Sequence, residues 1–300
     1  MRRMKEVAVL LAVALLCIPA AAEAQTTFKA GPVHYVFRNA NVAPSSSDGI
    51  TVYCNPKTRV AAGGYGANGP LLDASLAGSH PVDGGDPDLV RDDGWRLGVY
   101  NSGSQSLKVK FAEVCLRPGL AANALAYAST DHNVAMGTFT TIYGSTCPQG
   151  RVVGGGVQFG GGAINAVRID STSPYSTLGW EQPPDDGWTS RVTVQGPATN
   201  TSHVICMTGD DVALRYRKRE AIVRGGQTKR IVARCPKGKG WRVIGGGVAG
   251  FFLRIKQSLP WDSKDKRKVP EDGWLVRAGL PFPNSKPVVA TATAICAKKT

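Results

Sequence analysis

The sequence predicts an all-β protein made of three homologous units of about ninety residues, each closed by one disulfide. Three observations support this fold class. A pattern of cysteines and glycines recurs three times, an acidic turn precedes a tryptophan in each repeat, and short segments rich in β-branched residues lie between turn residues. Long segments with helical periodicity and helix caps are absent from the sequence.

The repeat is anchored by paired cysteines that are separated by 61, 59 and 61 residues. Agreement of several landmarks in both order and spacing indicates triplication. An even number of cysteines in an exported chain also suggests disulfides. We therefore predict one bridge in each unit, with the pairs Cys54 and Cys115, Cys147 and Cys206, and Cys235 and Cys296.

Acidic turns form the second landmark, and each one ends in a tryptophan. The three copies are Asp92-Asp93-Gly94-Trp95, Asp185-Asp186-Gly187-Trp188 and Glu271-Asp272-Gly273-Trp274. Calcium prefers six to eight oxygen ligands, more than such a turn supplies. The favoured interpretation is a turn that delivers a tryptophan to the core, whereas an exposed tryptophan would suit stacking on a sugar ring.

Strand signals recur within the units. The segment from Leu107 to Val114 alternates apolar with mostly polar residues, and 288–295 is rich in valine, threonine and alanine. These patterns predict four or five short strands per unit and almost no helix. Tyr35, Tyr127 and Tyr216 stand at equivalent points upstream of the glycine runs, which extends the repeat over nearly the whole chain after residue 24.

Domain boundaries follow from the repeat. We expect a signal peptide at 1–24, a first unit at 25–118, a second unit at 119–210 and a third, basic unit at 211–300. Three such units either close around a pseudo-threefold axis, as in a prism of three sheets, or stand in line as small sandwiches. The short connections between units favour the closed, prism-like arrangement.

The N-terminus has the pattern of a secretory signal peptide. A basic start, Met1 to Lys5, precedes an apolar stretch from Val7 to about Ala22 and an Ala-Glu-Ala sequence before Gln25. The apolar stretch is shorter than the roughly 20 residues of a membrane-spanning helix. The sequence therefore predicts a secreted protein, extracellular or periplasmic, without a transmembrane segment.

The pattern Cys-Pro-x-Gly-x-x-Val-x-Gly-Gly-Gly-Val, with a later Gly-Trp and a closing Cys, resembles a repeat of poorly characterised secreted bacterial proteins. The resemblance spans all three units and is cleanest from Cys147 to Val157, while Asn55 and Tyr65 depart from it in the first unit. Three-sheet β-prism proteins of egg vitelline membrane and some lectins offer a further analogy at the level of fold. The resemblance implies compartment and fold and carries no activity, because fold does not determine function.

Candidate catalytic and cofactor motifs are weak. The runs Gly154–Gly156 and Gly245–Gly247 lack the Gly-Lys-Ser/Thr of a phosphate loop, and glycine in a strand more often marks a bulge or a close backbone approach. The four histidines occupy unrelated points of the repeat and show no metal-ligand spacing. We expect no cofactor, no metal site and no catalytic residue, although a secreted hydrolase stays an alternative because catalytic triads assemble only in space.

Charge is the strongest functional signal. The chain carries a formal net charge of +14, and residues 213–300 alone hold 21 Lys and Arg against 5 Asp and Glu, a net of +16. A one-sided positive field attracts polyanions. The candidate binding residues are Arg215, Arg217, Lys218, Arg219, Lys229, Arg230, Lys264, Lys266, Arg267 and Lys268.

These features predict a non-enzymatic, exported binding or surface-associated protein. Its partner would be an acidic glycan or another anionic polymer of the cell envelope, with nucleic acid a less suitable ligand outside the cell. Two alternatives stay open: a structural protein that self-assembles into a coat or matrix, and a basic face that is merely solvated. The oligomeric state is not predicted.

Overall fold

The fold of the described chain is all-β. The computed structural model describes residues 25–84, 88, 90–118, 120, 124–134, 139–160, 166–177, 183–196, 198–238, 240–263 and 268–300, so the predicted signal peptide lies outside them. The strands are β1 Thr26–Ala30, β2 Val33–Val42, β3 Ser46–Tyr53, β4 Arg59–Ala67, β5 Ala74–Val82, β6 Gly94–Asn101, β7 Leu107–Leu116, β8 Leu125–Val134, β9 Phe139–Thr146, β10 Arg151–Phe159, β11 Val167–Tyr175, β12 Gly187–Val194, β13 Ala198–Met207, β14 Val212–Val223, β15 Thr228–Arg234, β16 Arg242–Ala249, β17 Arg254–Trp261, β18 Gly273–Gly279 and β19 Val288–Lys299. Each unit holds six or seven strands, more than the four or five predicted, because segments with a weak strand signal, such as the glycine-rich β10, also form strands.

Three sheets build the molecule, and each sheet joins strands of two units. Their orders are β1-β2-β7-β4-β17-β18-β15, β3-β6-β5-β10-β13-β8 and β14-β19-β16-β11-β12-β9. Every unit gives three strands to one sheet and three to the next, with β1 as an addition to the first unit. The buried apolar side chains form one cluster that includes residues of all three units. The closed, pseudo-threefold prism is therefore confirmed, and tandem sandwiches are excluded.

The glycine runs lie where two units meet. A register shift lies at the start of each run, between Val60 and Ala62 in β4 and at the matching points of β10 and β16. A Cβ atom added at Gly156 would overlap the carbonyl oxygen of Ser79 in the neighbouring strand β5. The glycines therefore mark both a bulge and a close backbone approach, as predicted.

The tryptophans of the acidic turns pack against the middle glycine of each run. Trp95, Trp188 and Trp274 are at most 3% exposed, so sugar stacking by these three side chains is excluded. Each indole N–H donates to a hydroxyl sixteen residues earlier, for example from Trp188 to Thr172 Oγ1 at 2.7 Å. The polar edge of each buried ring is thus satisfied, as a buried indole requires.

Repeated tyrosines link the units in a ring. Each one donates its hydroxyl to the carbonyl of a valine in the preceding unit, at 2.7 Å in all three cases. The pairs are Tyr35 with Val243, Tyr127 with Val60, and Tyr216 with Val152. The bond from Tyr35 to Val243 joins the first unit to the third and completes the ring, so these bonds reinforce the closed arrangement.

The predicted disulfides and acidic turns are structural elements of each unit. All three bridges are present, with Cα atoms 5.6–5.8 Å apart. The first acid of the turn pairs with an arginine of the same unit in two cases, Asp92 with Arg59 at 3.0 Å and Glu271 with Arg242 at 2.6 Å. The second acid accepts backbone N–H groups, as Asp272 does from Ser263 at 2.8 Å. These carboxylates hold the turn that positions the tryptophan.

Replacement of Gly155 by alanine should destabilise the protein, because the new methyl group would overlap the ring of Trp188. We expect a loss of about 1–3 kcal/mol in the free energy of unfolding, the usual cost of overpacking. Urea denaturation with the disulfides intact measures it. Gly196→Ala is the matched control, since a Cβ there meets only Ala166 Cβ, at 4.0 Å. Equal destabilisation by both variants would contradict the packing role of Gly155.

Candidate polyanion-binding surface

Many basic residues of the third unit lie on β14 and β15, two consecutive strands that are both sheet edges. β14 ends the third sheet and β15 ends the first sheet. Residues 224–227 connect the two strands, and this turn is held by a hydrogen bond from Gly226 N to the Leu280 carbonyl at 2.9 Å. β14 and β15 therefore do not pair with each other, and the turn between them connects the edges of two different sheets.

A groove of about 550 Å³ runs between these edges, and we call it the basic groove. Its lining residues are Arg217, Lys218, Arg219, Glu220, Ala221, Arg230, Ile231, Val232 and Arg234. All five of its Lys and Arg residues are exposed. The groove thus presents five cations and one carboxylate.

Strand pairing divides the β14 side chains between two faces. Arg217 and Arg219 stand opposite Ala294 and Ala292 of β19, and directly opposed residues share a face of the sheet. Lys218 stands opposite Thr293 and faces the other way. A second cavity, of about 840 Å³, adjoins the groove through Arg217 and Lys218 and is also lined by Arg151 and Arg215. Cationic side chains therefore line both faces of one edge strand.

Two half-buried tryptophans, outside the repeated triplets, lie beside these arginines. The Arg215 guanidinium is 5.3 Å from the ring centre of Trp241. The Arg230 and Arg234 guanidiniums are 5.8 and 5.2 Å from the ring centre of Trp261. Such cation–π contacts order an arginine and leave its N–H donors available to a ligand.

The basic groove carries an excess of positive charge, with five cations against the single carboxylate of Glu220. The ion pairs Arg59–Asp92, Arg168–Asp170 and Arg242–Glu271 lie outside this groove. Glu220 accepts a hydrogen bond from Thr291 Oγ1 at 3.4 Å. Like charges in one groove repel each other, so binding of an anion there would stabilise the fold.

The structure groups part of the predicted site. Arg217, Lys218, Arg219 and Arg230 line the groove, Arg215 lines the adjoining cavity, and Lys229 is half-buried in β15 away from the groove lining. Lys268 is exposed but lines neither cavity. Lys264, Lys266 and Arg267 lie outside the described residues.

Sequence reasoning missed Arg234, which lines the groove with Arg230. The two arginines and Val232 recur at every second position of β15, which places them on one face of the strand. This alternation was the available signal. It was overlooked because Arg234 stands alone in the sequence, outside the dense basic clusters.

Comparison of the sequence with known protein families and with curated proteins finds no match. Within the described residues, no helix is long and apolar enough to cross a membrane.

A histidine cluster lies where the first and second units meet in the second sheet. The rings of His80 and His203 stack with centres 5.5 Å apart, and Arg91 Nη1 lies 3.3 Å from His203 Nε2. Burial lowers the pKa of His80 to about 4 and that of His203 to about 3, so both rings are neutral at pH 7. His132 Nε2 lies 2.9 Å from Ser202 Oγ, a pair that resembles a hydrolytic dyad. Ser202 is only 3% exposed, which closes its hydroxyl to a substrate.

One buried carboxyl group has no counterpart in the other units. Glu113 is fully buried beside the Cys54–Cys115 bridge, and neither of its oxygens has a hydrogen-bond partner among the described residues. The positions two residues before the closing cysteines of the other units hold Val204 and Ala294. Burial first, and then the charge of Asp93, raise the pKa of the Glu113 carboxyl well above its usual range. The bridge keeps both sulfurs oxidised, so they do not act with Glu113 as thiolate metal ligands.

Glu113 should make the protein less stable as the pH rises. Its folded pKa exceeds the unfolded value of about 4.3, so the folded state retains a proton that the unfolded chain has lost. The contribution of Glu113 to the free energy of unfolding is therefore fully present below the unfolded pKa. As the pH rises towards the folded pKa, this contribution falls by up to about 1.4 kcal/mol per pH unit. Glu113→Gln removes this loss.

The measurement is urea denaturation of parent and Glu113→Gln protein from pH 3.5 to 8. We expect near-equal stability at the acid end and a growing advantage of the variant as the pH rises. Since the two proteins differ only at position 113, the difference in their stability at each pH isolates that side chain. An advantage that stays constant over the pH range would contradict the raised pKa.

Proposed function

We propose that the protein is an exported, non-enzymatic binding protein whose third unit binds an anionic polymer, such as an acidic glycan of the cell envelope. The observation that carries this proposal is the convergence of Arg217, Arg219, Arg230 and Arg234 on one groove. The three disulfides support export, since such bridges persist in oxidising compartments.

Arginine suits this ligand class better than a generic positive charge does. Its planar guanidinium forms paired hydrogen bonds with carboxylate, sulfate or phosphate groups. The adjoining rings of Trp241 and Trp261 offer flat, partly exposed surfaces of the kind on which sugar rings stack. The basic groove and the adjoining cavity form one open, continuous surface, which fits a chain-like ligand better than a compact one.

The charge on the edge strand β14 argues against the alternative of self-assembly through this edge. Unpaired sheet edges promote association, and charged residues along them prevent it. β14 carries five charged side chains in succession from 215 to 220, interrupted by Tyr216. Pairing two copies of this edge would bring like charges together, so a coat built through β14 is disfavoured.

Reversal of the groove charge should abolish polymer binding. The test variant replaces Arg217, Arg219, Arg230 and Arg234 with glutamate, and binding is measured by calorimetry to polygalacturonate, dextran sulfate, neutral dextran and duplex DNA. We expect the parent to bind the two acidic glycans in a salt-dependent manner and to show no binding to neutral dextran. The variant should lose roughly tenfold or more in affinity.

The control variant reverses four exposed cations of the first unit, Lys29, Lys57, Lys108 and Arg117, and so has the same net charge as the test variant. It should retain most of the binding. If both variants weaken binding equally, the attraction is a property of net charge and the groove is not a site. Concentration-dependent assembly without polymer would favour the structural alternative, and preference for DNA over both glycans would overturn the glycan assignment.

A further inference from the structure

Exposed aromatic side chains gather at one end of the third unit, beside the turn that connects β14 and β15. Phe251 and Phe252, in the turn between β16 and β17, are 51% and 58% exposed, and Phe282, between β18 and β19, is 64% exposed. The two loops enclose a cavity of about 440 Å³, to which Leu280, Pro281 and Val288 add apolar walls. This volume lies within the range of small-molecule sites in proteins, roughly 300–1,000 Å³.

The backbone holds these rings outward. Phe252 has a φ of 54°, a left-handed conformation that is costly for a bulky residue. Phe251 is fixed by the Arg191 guanidinium, which lies 3.5 Å from its ring centre. Strain of this kind persists where the surroundings enforce it and is frequent at ligand sites.

The aromatic loops are a departure from the repeat. In the first unit the connection between β6 and β7 reads Ser-Gly-Ser-Gln-Ser over residues 102–106, and the turn between β4 and β5 has no aromatic residue. The third unit has Pro281-Phe282-Pro283 and the Phe251-Phe252 pair at the equivalent places. The prism therefore forms without exposed aromatics in these loops, so folding alone does not account for them.

Cationic groups line the same cavity. Arg168, Arg254 and Lys286 contribute to its wall, and none of the described lining residues is a carboxylate. Arg168 is paired with the buried Asp170. Arg254 donates to Ser75 Oγ at 3.3 Å, and its pKa is lowered to about 10 by burial and then by the positive charge of Arg168. Arg254 is thus still protonated at neutral pH, and neighbouring groups balance its positive charge only in part. This favours binding of an anion nearby.

We propose that this cavity binds a small anionic amphiphile, with an aliphatic or aromatic body against Phe251, Phe252 and Phe282 and a carboxylate, sulfate or phosphate head beside Arg254 and Lys286. Apolar surface supplies affinity, and the two cations orient the ligand. The cavity shares no lining residue with the basic groove, so separate substitutions can change the two sites one at a time.

The experiment measures binding of decanoate, below its micelle concentration, by calorimetry with the full chain. Decanol is the uncharged matched ligand. The test variants are Phe252→Ser with Phe282→Ser, which removes two exposed rings, and Lys286→Glu, which reverses one exposed charge. We expect saturable binding of decanoate, weaker binding of decanol, and a roughly tenfold loss of decanoate affinity in the double variant.

Tyr53→Ser, at an aromatic residue 48% exposed in the first unit, is the control and should bind decanoate as the parent does. The groove variant with four glutamates should also bind normally, so failure of the polymer site and failure of this site are separable. Near-ultraviolet circular dichroism confirms that the variants are folded.

A second arm uses vesicles of phosphatidylglycerol and of phosphatidylcholine to distinguish a free amphiphile from a lipid in a membrane. If the parent binds both decanoate and phosphatidylglycerol vesicles, and the double variant loses the vesicle binding, a membrane lipid is the source of the ligand. Three results would overturn the proposal: no binding of decanoate by the parent, equal affinity in the double variant, or vesicle binding without decanoate binding.

Discussion

The close approach of three glycine-rich strands is the constraint on which the molecule depends. At Gly155 there is space for the Trp188 ring only because no side chain occupies the position, and at Gly156 the carbonyl of Ser79 takes the place of a Cβ atom. Backbone contacts of this kind allow strands of different units to pair in one sheet. The exchange of strands between units, and with it the single core, follows from that contact.

Closure of the ring places demands on polar groups as well as on packing. The indole N–H of each buried tryptophan, and the hydroxyl of each inter-unit tyrosine, finds an oxygen acceptor at about 3 Å or less. Buried donors left unpaired would cost about 1–3 kcal/mol each, so the hydroxyls at 79, 172 and 258 matter to the fold as much as the rings they serve. Glu113, His34 and Asn200 are exceptions among the buried polar side chains. Glu113 occupies a position where the other two units carry apolar side chains.

Because the centre is built from the repeated residues, the periphery is able to diverge. The third unit keeps its disulfide, its tryptophan and its tyrosine bond while its edge strands become basic and two of its loops become aromatic. Charge along β14 and β15 discourages edge-to-edge pairing and at the same time creates an anion-attracting groove. The aromatic end has a different character, since its cations are few and its walls are apolar. One unit thus carries two candidate sites with different ligand chemistry.

The amino-acid sequence alone determined the β class, the triplication, the disulfide pairing and the concentration of charge in residues 213–300, because these depend on spacing and composition along the chain. It also indicated that the glycine runs mark bulges or close approaches. Only the tertiary structure decided that each unit divides between two sheets, since strand exchange depends on contacts such as that of Tyr35 with Val243, 208 residues apart. The same holds for the sites. Arg234 and the Phe251, Phe252 and Phe282 cluster stand apart from any motif, and folding alone brings them together, because the edges and loops that carry them meet in space and not in sequence.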